Sequence, residues 1–299
     1  MATLYTQAES NIRKTFLLIT VFLVFIILLG WLFSYLMDSY TVLFIAVIFS
    51  ILMSFGSYWY SDKVVIAMTR AEPIAKEDNP ELYRLVENLC ITAGLPLPKI
   101  YILDEAQPNA FATGRDANHA VIAVTKGLLE KMDKVELEGV ISHELSHIGN
   151  KDMLLQTVIV VLAGIVALLS NWLLRIGFRG GFRGGRKNEA GLIFLVLAII
   201  AAVLAPLAAT LIRLAISRKR EFLADESGAL LTRYPEGLAR ALEKIEKDPN
   251  SLSVANDSTA HLFISSPFKG EEQTHWLTKL FMTHPPIEER IRALRDLKM

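Results

Sequence analysis

His143-Glu144-Leu145-Ser146-His147 is the stretch of this sequence whose residue types and spacing speak most directly of chemistry. On a helix, residues four apart point the same way, so the two imidazoles can grip one metal ion. Glu144, one residue past the first, can reach a water at that ion without binding it. Zinc is the expected ion: it accepts imidazole nitrogen, has no redox chemistry and brings the pKa of its water to roughly 7. The plainer alternative is a surface helix carrying this pattern by chance. Val140, Ile141, Leu145 and Ile148 argue against it, because they make most of the rest of the segment apolar. A buried His-Glu-His stripe is costly without partners, and a metal supplies them.

Two helical histidines leave a catalytic zinc short of one protein ligand beside its open position. Glu221-Phe222-Leu223-Ala224-Asp225 offers a candidate. Glu221 and Asp225 share a helix face, so one could bind metal and the other accept the second N–H of a ligand histidine. With Arg218, Lys219, Arg220 and Glu226 around it, however, the local sequence by itself reads better as a solvated charge face. Asp152, just past Gly149-Asn150-Lys151, is expected to cap the following segment, with a role in orienting the site as the alternative. His119, His261 and His275 stand alone and read as non-ligands. The single cysteine, Cys90, excludes a disulfide framework and a cysteine-based structural zinc site.

The elements that must position these groups are of two kinds. Residues 16–37, 41–60, 154–174 and 191–212 carry no Asp, Glu, Lys or Arg, and each is 20 to 22 residues long. That matches the roughly 20 residues an α-helix needs to cross a bilayer. The other 214 residues, before, between and after them, hold all 31 basic and 31 acidic residues. Within 61–152, Asn79-Pro80 opens a helical pattern with Leu82, Leu85, Val86, Leu89 and Cys90 on one face, stopped by Ala93-Gly94-Leu95-Pro96. Lys99–Leu103 and His119–Val124 read as short strands, and Gln107–Gly114 as an extended edge segment. Asp133 with Glu136 signals a capped helix running to about Asn150. Helices are expected near 218–232 and 235–247, with a last one opening at Pro285-Pro286. The Gly/Arg repeat within 175–190 reads as a solvated loop between two membrane segments. The division is a transmembrane hairpin over 1–60, a first polar part over 61–152, a second apolar pair over 153–216 and a second polar part over 217–299.

The pattern as a whole resembles the HtpX family of membrane zinc metalloproteases, relatives of the CAAX prenyl endopeptidases. The resemblance rests on the N-terminal hairpin, His143–His147, the second apolar pair, Glu221–Asp225 and the terminal Thr283-His284-Pro285-Pro286. It implies a gluzincin arrangement: His143, His147 and Glu221 as zinc ligands, Glu144 as general base, and Asp225 as the acid supporting a ligand histidine. It also implies that Asn109, Ala110, Phe111 and Ala112 form a substrate-side edge strand, able to pair with an extended peptide through main-chain hydrogen bonds. His284 would either stabilise the oxyanion or serve as a capping and packing residue before the last helix. Arg290, two turns into that helix, could face the same way as His284, but solvent exposure is the expectation. The fold class is α+β and mostly helical: a polytopic membrane protein with four apolar helices and a zincin-like metalloprotease domain with a small sheet.

The expected function is an integral-membrane zinc endopeptidase, one zinc per chain, acting on misfolded membrane or membrane-associated proteins and unfolded polypeptides under stress. No Walker motif is present, so no ATPase of its own is expected. Zero net charge argues against nucleic acid as a partner. Oligomeric state is not specified. If 154–174 and 191–212 cross as a hairpin, both motifs return to one membrane face. Arg13, Lys14, Lys63, Arg70, Lys151, Arg218, Lys219 and Arg220 mark that face as cytoplasmic, in a cell membrane, against five charges in the opposite loop. The alternatives are a membrane scaffold or transporter with a structural zinc, and a prenyl-protein processing protease. Uncharged spans disfavour the transporter, and four apolar segments are few for the prenyl branch.

Overall fold

Long uncharged runs become long helices. The computed structural model describes residues 4–36, 38–181, 218–256, 258–269 and 285–297. Helix α1 (Leu4–Leu36) and helix α2 (Tyr40–Trp59) form a tight hairpin, turned at Asp38 in the left-handed region (φ 47°). Phe16, Leu17, Val21, Leu28, Phe44, Ile45, Leu52 and Phe55 stand exposed along them, a surface suited to lipid and not to water.

Short helix α3 (Ser61–Thr69) leads from α2 into strand β1 (Glu72–Pro73). Helix α4 (Pro80–Ala93) starts where Asn79 accepts from the Leu82 amide and stops at Gly94 in the left-handed region, and it buries the predicted Leu82, Leu85, Val86, Leu89 and Cys90. Strands β2 (Lys99–Leu103), β3 (Ala110–Thr113) and β4 (Val121–Thr125) complete a mixed sheet of order β1-β2-β4-β3. β2 and β4 are parallel, with Ile100 beside Ile122, and β3 runs antiparallel to β4 as an edge strand, with Ala112 opposite Ile122. The last strand begins two residues later than the sequence suggests, because Asp116 accepts from the His119 amide and winds Ala117–His119 into a 3-10 turn.

Helix α5 (Lys126–Lys131) follows, then helix α6 (Lys134–Gly149), which carries the His-Glu-His motif and opens with the Asp133/Glu136 capping box. Helix α7 (Met153–Gly181) turns away from α6 by 85°. Further along the chain come helix α8 (Arg218–Thr232), helix α9 (Pro235–Lys247) and helix α10 (Ile287–Arg295). One core joins the α6 face of the sheet to α4, α6, α9 and α10 through residues such as Ile122, Val140, Leu145, Leu242 and Leu294.

The expectation of four spans changes here. Among the described residues two helical stretches, Glu9–Tyr35 and Tyr40–Trp59, are long and apolar enough to cross a membrane, and α6 with Met153–Leu168 makes a third only if that bent pair counts as one span. The third uncharged run lies inside α7, but Leu155, Val158, Ile159, Leu162 and Val166 are buried against protein, with Phe22 and Ile26 of α1 among their neighbours. Packing claims that face. The fourth run, 191–212, lies outside the described residues, as does most of the Gly/Arg stretch.

Candidate metal centre

α6 is held in place from two sides, by α9 and by α8. Glu136, buried near its start, accepts from Arg240 at 3.0 Å and Lys244 at 2.5 Å of α9. Gly139 allows the close crossing of α6 and α9: a Cβ there would sit 2.5 Å from the Leu238 amide nitrogen. On the neighbouring side Gly228 of α8 plays the same part, since its Cβ would come within 3.0 Å of the His143 amide nitrogen. α8 therefore lies directly along α6, and its first turns face the imidazoles.

The result is a triad. His143 Nε2 and His147 Nε2 are 3.1 Å apart, and the Glu221 oxygens lie 3.9 Å from each of them. His143, His147 and Glu221 are all buried and form the group among the described residues able to hold a metal ion. Ligand atoms on a tetrahedral zinc are separated by about 3.3 Å, given bonds of about 2.0–2.1 Å. A carboxylate shift of about half an ångström would close the difference.

Groups behind the triad orient it. Asp225 Oδ1 lies 2.9 Å from His143 Nδ1, at an angle too bent for a straight hydrogen bond. Both oxygens of Asp152 lie 3.1 Å from His147 Nδ1. Asp152 thus contacts the site, where the sequence suggested capping. Arg290 corrects a second expectation. Its side chain is wholly buried, donating to Asp225 through Nε (2.8 Å) and Nη2 (2.7 Å) and to the Ile264 carbonyl through Nη1 (2.7 Å). Burial opposes the Asp225 charge, but Arg290 outweighs it and holds the carboxyl well below the usual range. Arg220 is buried as well, with Nη1 3.4 Å from Asn11 Oδ1 of α1.

Electrostatics test whether a metal fits. Among the described residues, four buried carboxyl groups (Glu144, Asp152, Glu221, Asp225) surround two buried guanidiniums (Arg220, Arg290), two more acidic than basic groups when the imidazoles are neutral. One divalent cation cancels it. His147 registers the same imbalance. Burial works against a charged His147, yet Asp152, Glu221 and Glu144 pull its pKa up to about 10. Burial instead lowers His143, which also feels His147 and Arg290. The residues present therefore fit a divalent ion in charge, donor type and spacing.

Glu144 stands apart from the triad. Among the described residues neither of its carboxylate oxygens has a hydrogen bond of ordinary geometry, and the Ala112 amide is the least of the groups acting on it. Burial pushes its carboxyl up to about 7, against the pull of His147. A buried carboxylate with free lone pairs beside a metal triad can take and return a proton. Ala112 sits on β3, where alternate residues turn their N–H and C=O away from β4. Of the two that do, Ala110 spends its carbonyl on the Ile264 amide at 3.0 Å. Asn109 is buried just before the strand, its side chain donating to Gln107 (3.3 Å) and to the Ser265 carbonyl (3.1 Å). Phe111 points to the other face, against Phe263.

Of the remaining candidates, His284 and His275 lie outside the described residues. His119 pairs with Asp116 at 2.7 Å, and His261 is buried with Nε2 3.4 Å from the Gln156 carbonyl. The burial of Arg290 went unread in the sequence although a signal existed. Ile287, Arg290, Ile291 and Leu294 follow the i, i+3, i+4, i+7 stripe of a buried helix face, so Arg290 falls within it. Glu221, Ala224, Asp225 and Gly228 follow the same stripe, and its small members mark a packing face. Asp152 had no such signal, because its approach to His147 depends on a turn in which Lys151 adopts φ 54°.

Comparison with known proteins agrees with this geometry. The pattern described as Peptidase family M48 matches residues 76–298. A "Protease HtpX homolog" of Thermoanaerobacter pseudethanolicus is 45% identical, covering 99% of this chain and 99% of its own. Another, from Thermococcus sibiricus, is 46% identical over 88% of this chain and 89% of its own. Among solved structures, S. mikatae Ste24p aligns with a TM-score of 0.50 at 20% identity, covering 89% of this chain and 62% of that one, a likeness of fold alone.

Proposed function

From the premise that this chain belongs to peptidase family M48, and is therefore a membrane metallopeptidase, we propose a zinc-dependent endopeptidase of the membrane surface. His143, His147 and Glu221 would hold the ion, which when bound supplies Lewis-acid polarisation and a water of lowered pKa. Glu144 is the general base: its carboxylate takes the proton of the attacking water and delivers it to the departing amine. Asp225 and Asp152 keep the ligand imidazoles in one orientation, and Arg290 holds Asp225 in place. Ala112, flanked by Asn109, Ala110 and Phe111, offers its outward C=O to an extended substrate, which suits weak sequence preference. His284 remains the candidate to stabilise the oxyanion.

The substrates we propose are misfolded membrane proteins and unfolded polypeptides, cleaved without ATP in a stress-linked quality-control role. The active site faces the cytoplasm of a cell-membrane protein. The division of the chain into a membrane hairpin, a polar half, a second apolar pair and a second polar half follows the same reading. The observation that carries the function is Glu144: buried, lacking an ordinary hydrogen bond among the described residues, and next to the His143–His147–Glu221 triad. Glu144→Gln should retain bound zinc and lose cleavage of casein in detergent; full activity would remove the assigned base. His143→Ala and Glu221→Ala should each lose metal, and unchanged zinc affinity in either would remove that ligand.

A further inference from the structure

β3 is fastened at its downstream end to elements outside the sheet. Thr113 Oγ1 lies 3.0 Å from Thr157 Oγ1 of α7, and the Gly114 amide donates to the same oxygen at 3.4 Å. Thr157 Oγ1 itself donates to the Met153 carbonyl at 2.7 Å. A hydroxyl has one proton and two lone pairs. Its proton is committed to Met153, so Thr113 must donate in its pair, and both lone pairs of Thr157 serve the end of β3. Thr113 and Thr157 are fully buried, so no water substitutes for these bonds.

One residue further on, the Arg115 guanidinium lies 4.7 Å from the centre of the Trp59 ring, at the last turn of α2. Arg115 is braced on its other side by His119 at 2.6 Å and Asp116 at 3.4 Å. A cation over an indole face is attractive and directional. α7 also follows α6 after only Asn150, Lys151 and Asp152. A strand pinned to Thr157 is therefore held at a set distance from the helix that carries Glu144.

We propose that Thr157 and Trp59 are positioning residues for substrate: α7 and α2 set, through Thr113–Arg115, where the Ala112 edge stands relative to Glu144. This deepens the proposed function and rests on its assignment of β3 as the substrate strand. Ala110 already bonds Ile264, so the backbone available to a peptide is short, and a small displacement at Thr113 is felt directly at Ala112.

The test is steady-state cleavage of a fluorogenic peptide by full-length protein in detergent. Thr157→Val keeps shape and removes the hydroxyl. It should raise KM about fivefold, the worth of one main-chain hydrogen bond, with kcat within about twofold and bound zinc unchanged. Thr157→Ser should restore KM, and Trp59→Leu should raise it in the same sense. An unchanged KM in Thr157→Val, or no rescue by serine, overturns the tether. Wild-type protein assayed with peptides N-methylated at one position at a time separates the two levels. If no methylated peptide shows a raised KM, the substrate-strand assignment itself fails. If some do while Thr157→Val behaves as wild type, only the tether fails.

Discussion

Replacing Arg290 by methionine isolates the strongest buried electrostatic contact behind the triad. The guanidinium is fully buried and makes two bonds of 2.7 and 2.8 Å to Asp225 and one of 2.7 Å to Ile264. Methionine fills most of the volume but leaves Asp225 as a buried carboxylate with His143 as its remaining close partner. Removing one member of a buried pair costs about 3–5 kcal/mol, chiefly because the other charge is stranded. For a chain of this size that corresponds to a fall in Tm of about 6–15 °C. Asp225→Leu alone should also destabilise, by removing the carboxylate that the guanidinium grips with two bonds, although Glu221 stays 3.8 Å from its Nη1. The double variant Arg290→Met/Asp225→Leu removes both charges together and should recover much of the loss, leaving a coupling of at least about 2 kcal/mol. Arg290→Lys should not rescue, since an ammonium cannot make the two-pronged contact. Thermal unfolding of metal-stripped protein in one detergent gives the four corners of the cycle. Losses that add to within about 0.5 kcal/mol would mean that the two side chains do not depend on each other, and the account of Arg290 as the anchor of Asp225 would be wrong.

Three further outcomes follow from the geometry. Asp152→Asn should weaken zinc binding about tenfold to a hundredfold, because it removes a charged acceptor from His147 Nδ1; chelator competition measures it, and unchanged affinity returns Asp152 to a capping role. Gly228→Ala places a Cβ 3.0 Å from the His143 amide, so α8 must retreat by a few tenths of an ångström; zinc affinity should fall, while Gly164→Ala, with open space around its Cβ, should leave it unchanged. Glu136 is a carboxyl whose pKa burial would raise but which Lys244, the Asp133 amide and Arg240 hold below the ordinary value. Its folded pKa is depressed, so its contribution is present above the unfolded value of about 4.3 and is lost as pH falls through the folded one. In the metal-stripped protein, the Tm of Glu136→Gln should therefore fall less than that of wild type between pH 5 and pH 3; parallel curves would contradict this.

Much of the local structure was legible because its causes are local. Asn79 and Gly94 bound α4, and the Asp133/Glu136 box starts α6, at the places the sequence marks. The helices at Arg218–Thr232 and Pro235–Lys247 fall where expected. The pairing of His143 with His147 follows from helix pitch alone. What escaped depends on which faces meet. Arg290 and Arg220 carry strongly hydrophilic side chains, and partners arriving from elsewhere favour their burial, Asp225 beside Arg290 and, among the described residues, Asp152, Glu221 and Asn11 of α1 around Arg220. The third uncharged run reads as lipid-facing by composition, whereas its first half is claimed by α1, since hydropathy does not distinguish a protein interior from a bilayer.

By itself, then, the order of residues determined the motif that could grip a metal, the helices that carry it and the two stretches made for lipid. Spacing along one helix and hydropathy along one segment are properties of neighbours in sequence. Only the tertiary structure decided that Glu221 stands beside the two imidazoles and that β3 is moored to α7, because each needs segments tens of residues apart brought within about 3–4 Å by close packing such as that at Gly228, and that Asp152 faces His147, because that needs the left-handed turn at Lys151.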